Sequence, residues 1–600
     1  MYEEAKIQRT PEELAQLLSQ APATCLVPEL LEIARNPLPA RELPGARLVA
    51  ETLAPFLADA AHIPHLPYTL YREFQRTGER RGYQTPYQEK RAKMVALAVQ
   101  LLLGDTSRRE LLQDYLWSTC EETNWVIPAH ETREIDLTSA ATGFSLAEII
   151  VGLGEQLSDE VVARVRAEIE RRIFEPYLAR HDSLNWFHGH NNWNGVCNSA
   201  VAATFLHLEQ DTGRLARALS LALEGLEVFL ATAFEYEGSS TEGTSYWQYG
   251  LSNLIAFSEM LRLRTAGAID LLALPRLKDI AHYPTRTMLS VGRYANFADC
   301  EEVVAFNPGL FGRMAERTGV PALKEVLAEG APLLRETNWG RFHKMWRALA
   351  WWDGQRPQAI TIGDTWARDV GLVRLAATLP NGAPVVLAAK AGHNAENHNH
   401  NDVGSFILHV DGESLLCEPG RGLYSRDYFS PRRYENIFAS SFGHSVPVVA
   451  GQLQAPGRER EGHITGFASG RRRFVKIDML KAYDFPDAET IEREISLDWA
   501  AGTITIEDSF LFDKTSQPIE EAFVTWQEVT VEGATARILG ERHVLELEIT
   551  SPRAAEFGLT VLSAESEANA KPTPLKRLTI VTPPHKITRF TIVGRILPRQ

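Results

Sequence analysis

Cysteine is scarce. The 600 residues include five, Cys25, Cys120, Cys197, Cys300 and Cys417, scattered singly with no CxxC pair. That spacing indicates neither a disulfide framework nor a Cys-rich zinc site. Positive charge is in deficit: 62 Lys and Arg against 77 Asp and Glu leave −15. Broad nucleic-acid binding needs a basic surface and is not expected, whereas a locally basic cleft could still take an anionic substrate. No run of about 18 apolar residues marks a membrane span. The opening MYEEAKIQRTPEELAQLL lacks the basic stretch and apolar core of a secretory signal. Reduced thiols and that opening suggest a cytoplasmic protein, or a periplasmic or secreted one if a signal has been removed. Low-complexity tracts and fixed-period repeats are missing too, and nothing in the chain speaks to oligomeric state.

What is present is a long chain of ordinary globular composition, 44% hydrophobic and 23% charged. Its length favours two or three domains. Up to about residue 350 the apolar residues recur at helical spacing, as in KRAKMVALAVQLLLGD (90–105), SLAEIIVGLGEQL (145–157) and LARALSLALEGLEVFLATAF (215–234). Beyond the Trp-rich segment KMWRALAWWDGQRP (344–357) the period becomes two. GTITIEDSF (502–510) puts Ile504 and Ile506 on one face, and HVLELEIT (543–550) sets Leu545, Leu547 and Ile549 against Glu546 and Glu548. PVVLAAKAG, GSFILHV, RRFVKIDML and AFVTWQEVTV also read as strands, with no βαβ alternation. The expected architecture is multidomain α + β: a helical domain over 1–355, then an antiparallel β-sheet domain over 356–600.

Three segments concentrate polar and ring-bearing residues. NWFHGHNNWNGVCN (185–198) holds His188, His190, Asn191, Asn192 and Asn194 around Trp186 and Trp193. It lies at or just before a helix start, where free N–H groups suit anions; plain helix capping by Asn is the bland alternative. EYEGSSTEGTSYWQYG (235–250) holds Glu242, Tyr246 and Tyr249 at a Gly-rich bend before another helix, where the aromatics could be core or sugar-stacking groups. AGHNAENHNHNDVGSFILHVDGESLLCEPG (391–420) holds His398 and His400, two apart and so on one face of an extended chain, with Glu418 on what reads as the next strand. His444 follows in SSFGHSVPVV. Two imidazoles and a carboxylate suit a divalent ion such as zinc or manganese, although such a set by itself is weak evidence.

Taken in order, HNNWN (190–194), EGTSYWQYG (242–250), HNHNDVGSF (398–406), EPG (418–420) and GHSVP (443–447) resemble the heparinase II/III-like superfamily of polysaccharide lyases. The resemblance implies an (α/α) toroid, an incomplete helical barrel, followed by a sandwich-like antiparallel β domain. It implies Tyr246 as the catalytic tyrosine, assisted by His398. It places Asn192, or else Asn191, on the uronate carboxylate. It implies one divalent metal, manganese or zinc, held by His400, Glu418 and His444, structural in role and joining the β domain to the toroid. Family members often carry Asp where this chain has Glu418. A second tyrosine often follows the acidic ligand: Tyr424, Tyr428 and Tyr434 compete, with Tyr434 or Tyr428 best by spacing. Trp193, Asn194, Glu242, Tyr249, Tyr428, Arg432 and Arg433 are then candidates for substrate contact, the arginines for carboxylate or sulfate.

The implied reaction is β-elimination on an acidic polysaccharide. A base removes the proton at carbon 5 of a uronate and an acid protonates the departing oxygen at carbon 4. Amide and imidazole donors stabilise the charge building on the carboxylate. Tyr246 is expected as acid, and also as base where both groups share one face of the ring. His398, His188 or His190 would be base for the opposite epimer. Hyaluronan, chondroitin, heparan sulfate and alginate all supply a uronate; glycosaminoglycans are favoured. One rival is a glycoside hydrolase using two of Glu237, Glu242 and Asp402. The other is a non-catalytic glycan binder built on Trp186, Trp193 and Trp247.

Overall fold

The computed structural model describes residues 6–131, 134–334, 341–470 and 472–599. The chain forms two compact units. The first is Met1–Phe234, Tyr246–His282 and Ala305–Ala359; the second is Glu235–Ser245, Tyr283–Val304 and Ile360–Gln600. The chain therefore enters the second unit twice, at 235–245 and 283–304, before the main change near 360. Helical periodicity alone carries no sign of those two excursions.

The first unit is helical. Three of its long helices begin where the sequence supplies a side-chain acceptor for the free N–H groups of the first turn. Asp136 caps Leu137–Leu153 by accepting from Thr138 and Ser139, Asn191 caps Asn192–Leu208, and Asp211 caps Thr212–Thr232. The stretch Leu137–Gln156 is long and apolar enough to cross a membrane by length and composition, which the search for apolar runs had not singled out. Within the fold 78% of that window is buried, as befits a core helix. The Asn192–Leu208 and Thr244–Arg264 helices run side by side at glycine contacts. A Cβ on Gly195 would sit 2.9 Å from the Gly250 carbonyl oxygen, and one on Gly250 would sit 3.3 Å from the Asn192 Cβ. Asn253 donates to the Val196 carbonyl at 3.1 Å. Residue numbers rise together along both helices, so Tyr246, one turn before Gly250, lies level with the start of the Asn192 helix.

The second unit is antiparallel β. Thr365–Ala367, Leu372–Thr378, Pro384–Lys390, Phe406–Val410 and Glu413–Leu416 pair in chain order as a five-stranded sheet. A nine-stranded sheet includes Gly457–Ala468, Arg473–Asp478, Ala488–Asp498, Thr503–Phe512, His543–Ser551 and Ile587–Pro598, and Gln517–Thr525 belongs to a four-stranded one. The alternation read from sequence is the one observed: Ile504, Ile506, Leu545, Leu547 and Ile549 are buried in one core with Leu387, Leu408 and Ile495. Each such side chain stabilises by about 1.5–3 kcal/mol on burial.

Arg493 crosses this core. Its guanidinium donates to Asp508 at 2.8 Å and also to Glu521, all three fully buried. Its Nη1 donates to the carbonyls of Gly404 and Ser445. One buried cation thus tethers the loop that carries His398 and His400 and the loop that carries His444.

Candidate functional site

In the first unit, the HNNWN segment divides its labour. The Asn191 side chain accepts from the Trp193 N–H at 3.1 Å as the helix cap. Asn192 begins the helix proper and is 3% exposed, against Gly250. Of the two asparagines, Asn191 is the one that caps the helix. Asn194, expected to contact substrate, belongs to the scaffold: it is buried, donates to the Gly189 and Gly225 carbonyls and accepts from Asn198. His188 is exposed and bonded to Glu224 at 2.8 Å, and His190 is exposed in the turn before the helix. Trp193 is half-buried and meets His130 edge-on, ring centroids 4.8 Å apart. Trp186 and Trp247 are core residues, their indole N–H groups donating to the Ile135 and Ile280 carbonyls.

Tyr246 and Tyr249 lie inside the helix rather than on the bend before it, because the helix starts at Thr244. Tyr246 is half-buried. Tyr249 accepts from Arg341 at 2.6 Å. Burial pushes the Tyr249 hydroxyl up, partly offset by Arg341.

In the second unit, the histidines are organised by Asp299, which sequence reasoning missed. His398 Nδ1 bonds one Asp299 oxygen at 2.9 Å, and His400 Nε2 bonds the other at 3.0 Å. Tyr428 donates at 2.7 Å, Arg433 at 3.0 Å and Tyr424 at 3.2 Å. Burial would raise the Asp299 carboxyl, but the imidazoles and Arg433 hold it well below the usual range. A carboxylate accepts only, so each Asp299-facing ring nitrogen carries the proton. His398 then presents Nε2, which lies 3.5 Å from Glu242, and His400 presents Nδ1. The two histidines do not meet by strand alternation. His398 adopts φ +57 in a loop, and both rings converge because they bind opposite oxygens of one carboxylate.

The tyrosine stacked on His398 is Tyr424, with its oxygen 3.4 Å from Nδ1. Spacing had favoured Tyr434 or Tyr428. Tyr428 is buried beneath, on Asp299, and Tyr434 accepts from Asn399 at 3.3 Å. Arg433 braces Asp299 and stacks over Tyr428. Arg432 is exposed and paired with Asp427 and Glu435.

Beside this lies a cluster fit for a metal. His400, Asp402, Glu418 and His444 are buried, with ligand atoms all within 4.8 Å of one another. All four belong to the second unit. Asp402, read from sequence only as a possible acid, joins the expected trio. Two atoms of the set, His444 Nε2 and Asp402 Oδ2, are buried without a hydrogen-bond partner, an arrangement a cation would relieve. Burial would raise Glu418, but His444 and His400 outweigh it and pull the carboxyl down to about 2. Nitrogen and oxygen donors in this mix suit zinc or manganese. Glu418 reaches both imidazoles, at 3.4 Å from His400 and 2.9 Å from His444, so its extra methylene over Asp is accommodated.

Residues 360–587 match the heparinase II/III-like C-terminal family. Among solved structures, the fold is similar to heparinase III, with a TM-score of 0.65 at 12% identity over 92% of this chain and 85% of that one. It is also similar to the heparan sulfate lyase HepC from Pedobacter heparinus, with a TM-score of 0.57 at 12% identity over 93% and 92% of the two chains. None of the curated proteins compared with the sequence matches it. Residues 360–587 thus resemble the heparinase II/III-like C-terminal family, and the chain has a fold similar to that of heparinase III.

Proposed function

We propose that this protein is a polysaccharide lyase cleaving uronate-containing glycans by β-elimination. The observation that carries the reading is the Asp299–His398 pair, which orients the imidazole with its proton on Nδ1, so that Nε2, beside Glu242, can serve as the base. In this reading His398 Nε2 takes the carbon-5 proton of one uronate epimer. Tyr246 protonates the oxygen leaving carbon 4, and takes the carbon-5 proton itself where both groups lie on the same face. The Asn192 amide donates to the uronate carboxylate as charge builds there.

The hydrolase reading fares worse. Asp402 is bonded to Lys390 at 2.8 Å and belongs to the metal cluster, and Glu237 accepts from the Arg368 N–H at 3.2 Å. Glu242 is left without either of them as the second carboxylate that hydrolysis requires.

His400, Asp402, Glu418 and His444 would hold one divalent ion, manganese or zinc. Bound there, the ion would offset the two buried carboxylates and fix the loops that carry its ligands. Elimination needs no activated water, so its role is structural in this proposal.

Heparan-type, chondroitin and hyaluronan chains are the favoured substrates, with alginate the wider possibility. The deciding measurement is ultraviolet absorbance of the conjugated unsaturated uronate, on hyaluronan, chondroitin sulfate, heparan sulfate and alginate, with manganese and zinc supplied. A rise on any member is expected. New reducing ends without absorbance would replace elimination with hydrolysis.

A further inference from the structure

Among the described residues, the first unit buries two basic side chains, Arg341 and Lys344, that have no anionic partner. Arg341 is 0% exposed and Lys344 is 1% exposed. Arg341 uses Nη2 on the Tyr249 hydroxyl, while its Nε and Nη1 are buried with no partner. Among the described residues, neither cation forms an ion pair. The contrast with Arg347, one turn on, is direct: it is also fully buried, but it pairs with Glu148 at 2.8 Å. An unpaired buried guanidinium costs several kcal/mol, so a fold that keeps it beside a second basic side chain points to a ligand.

The geometry gathers them around one ring. The Arg341 guanidinium carbon lies 4.7 Å and the Lys344 ammonium 5.9 Å from the Tyr249 ring centroid. Tyr249 is only half-buried, which gives the cluster a solvent-facing edge. Its oxygen accepts from Arg341, so its proton is free to donate elsewhere. Arg341 is also the N-cap of the ten-residue helix Phe342–Trp351, whose dipole favours negative charge at this end. Neighbouring His343 adds no counter-charge: it bonds Asn253 at 2.8 Å and stacks on Phe144 at 4.4 Å.

We propose that Arg341, Lys344 and the Tyr249 hydroxyl form an oxyanion-binding subsite for an acidic group of the glycan substrate. The assignment rests on the lyase reading for the source of the anion, but not for its binding. Tyr249 follows Tyr246 by three residues on one helix, about 4.5 Å along its axis. The subsite therefore serves a sulfate or carboxylate close to the sugar whose leaving oxygen Tyr246 protonates. Burial, and secondarily Arg341, holds the Lys344 ammonium well below its usual range. An anion between the two cations would restore it, so binding should take up a proton.

The test has two arms. In the first, the purified full chain is titrated with inorganic sulfate against chloride at matched ionic strength, and thermal unfolding is followed. The wild type should gain a saturable rise in Tm, and K344M and R341M should each lose most of it. No rise beyond chloride, or an equal rise in both variants (an adventitious ion only), overturns the site. If R341M fails to fold, K344M decides, because removing an unpaired buried ammonium does not leave a partner stranded. The second arm compares sulfated with fully desulfated polyuronate. A KM at least tenfold higher in K344M on sulfated chains alone identifies sulfate as the anion; the same rise on both chains identifies carboxylate. No change in KM on either, with the sulfate arm positive, overturns the assignment to substrate. Absence of turnover by the wild type would count against the lyase reading and leave the first arm to judge the site.

Discussion

Asp299 accepts from both imidazoles, two tyrosines and one arginine, and each contact depends on its being ionised. Asn at this position would offer an N–H where His398 also has one, forcing a flipped tautomer or a lost bond. D299N is therefore expected to lower kcat by about 10²-fold or more, in keeping with loss of an oriented general base. KM should change much less. A KM effect alone would remove Asp299 from the chemistry. Y246F deletes only a hydroxyl, and it should lower kcat by at least about 10²-fold with unchanged Tm; near-normal turnover would take the tyrosine out of the proposed mechanism. A third residue bears on stability. His207 is buried between Cys25 at 3.2 Å and Glu148 at 3.2 Å. Burial pushes its imidazole down, but Cys25 and Glu148 outweigh it and raise it to about 9. A raised histidine stabilises fully below its ordinary value near 6.5 and loses that contribution as pH climbs through about 9. Tm should fall between pH 7 and 10, and H207Q should flatten that slope; an equal slope in both proteins would assign the effect elsewhere.

Among the elements, the loop of HNHNDVGSF is the one whose form matters most. It is held at both ends. Arg493 and Lys390 bond the Gly404 carbonyl and Asp402 respectively, and Asn401 donates its N–H to Ala439. Gly404 has φ +91, and a Cβ there would meet the Met479 sulfur at 2.0 Å, so no other residue fits. The four proposed ligands come from this loop and from segments that end or follow strands, so an ion would cross-link them. Chelation should lower the Tm of the full chain, with recovery on adding back manganese or zinc. H444A should be indifferent to chelator. An unchanged Tm in the wild type would leave the cluster as a hydrogen-bonded group without an ion. At this scale the sequence was a good guide to strands and a poor one to loops. Ile504, Leu545 and Leu547 announced their faces by alternation. The approach of His398 to His400 could not be read that way, because a left-handed residue breaks the period. Tyr246 was placed before its helix for a related reason: the Gly-rich stretch hides that Thr244 already begins it.

Across the whole molecule, the second unit depends on its buried Arg493, Asp508 and Glu521. R493M would strand two carboxylates in the core, and it should cost about 3–5 kcal/mol in urea unfolding. It would also free the Gly404 and Ser445 carbonyls, so the proposed metal cluster should loosen with it. The sequence by itself determined the change from helical to strand period near residue 350, the inward faces of the strands, the helix caps and the motifs that resemble the lyase superfamily. These are local: each is written within one or two turns of chain, where neighbouring side chains dictate backbone geometry. Only the tertiary structure decided that 235–245 and 283–304 join the second unit, that Asp299 lies under His398 from 99 residues away, that Tyr424 is the tyrosine beside it, and that Arg341 and Lys344 are buried with no carboxylate among the described residues paired to them. Those outcomes depend on which distant groups share a low-dielectric interior, and residue spacing carries no record of that.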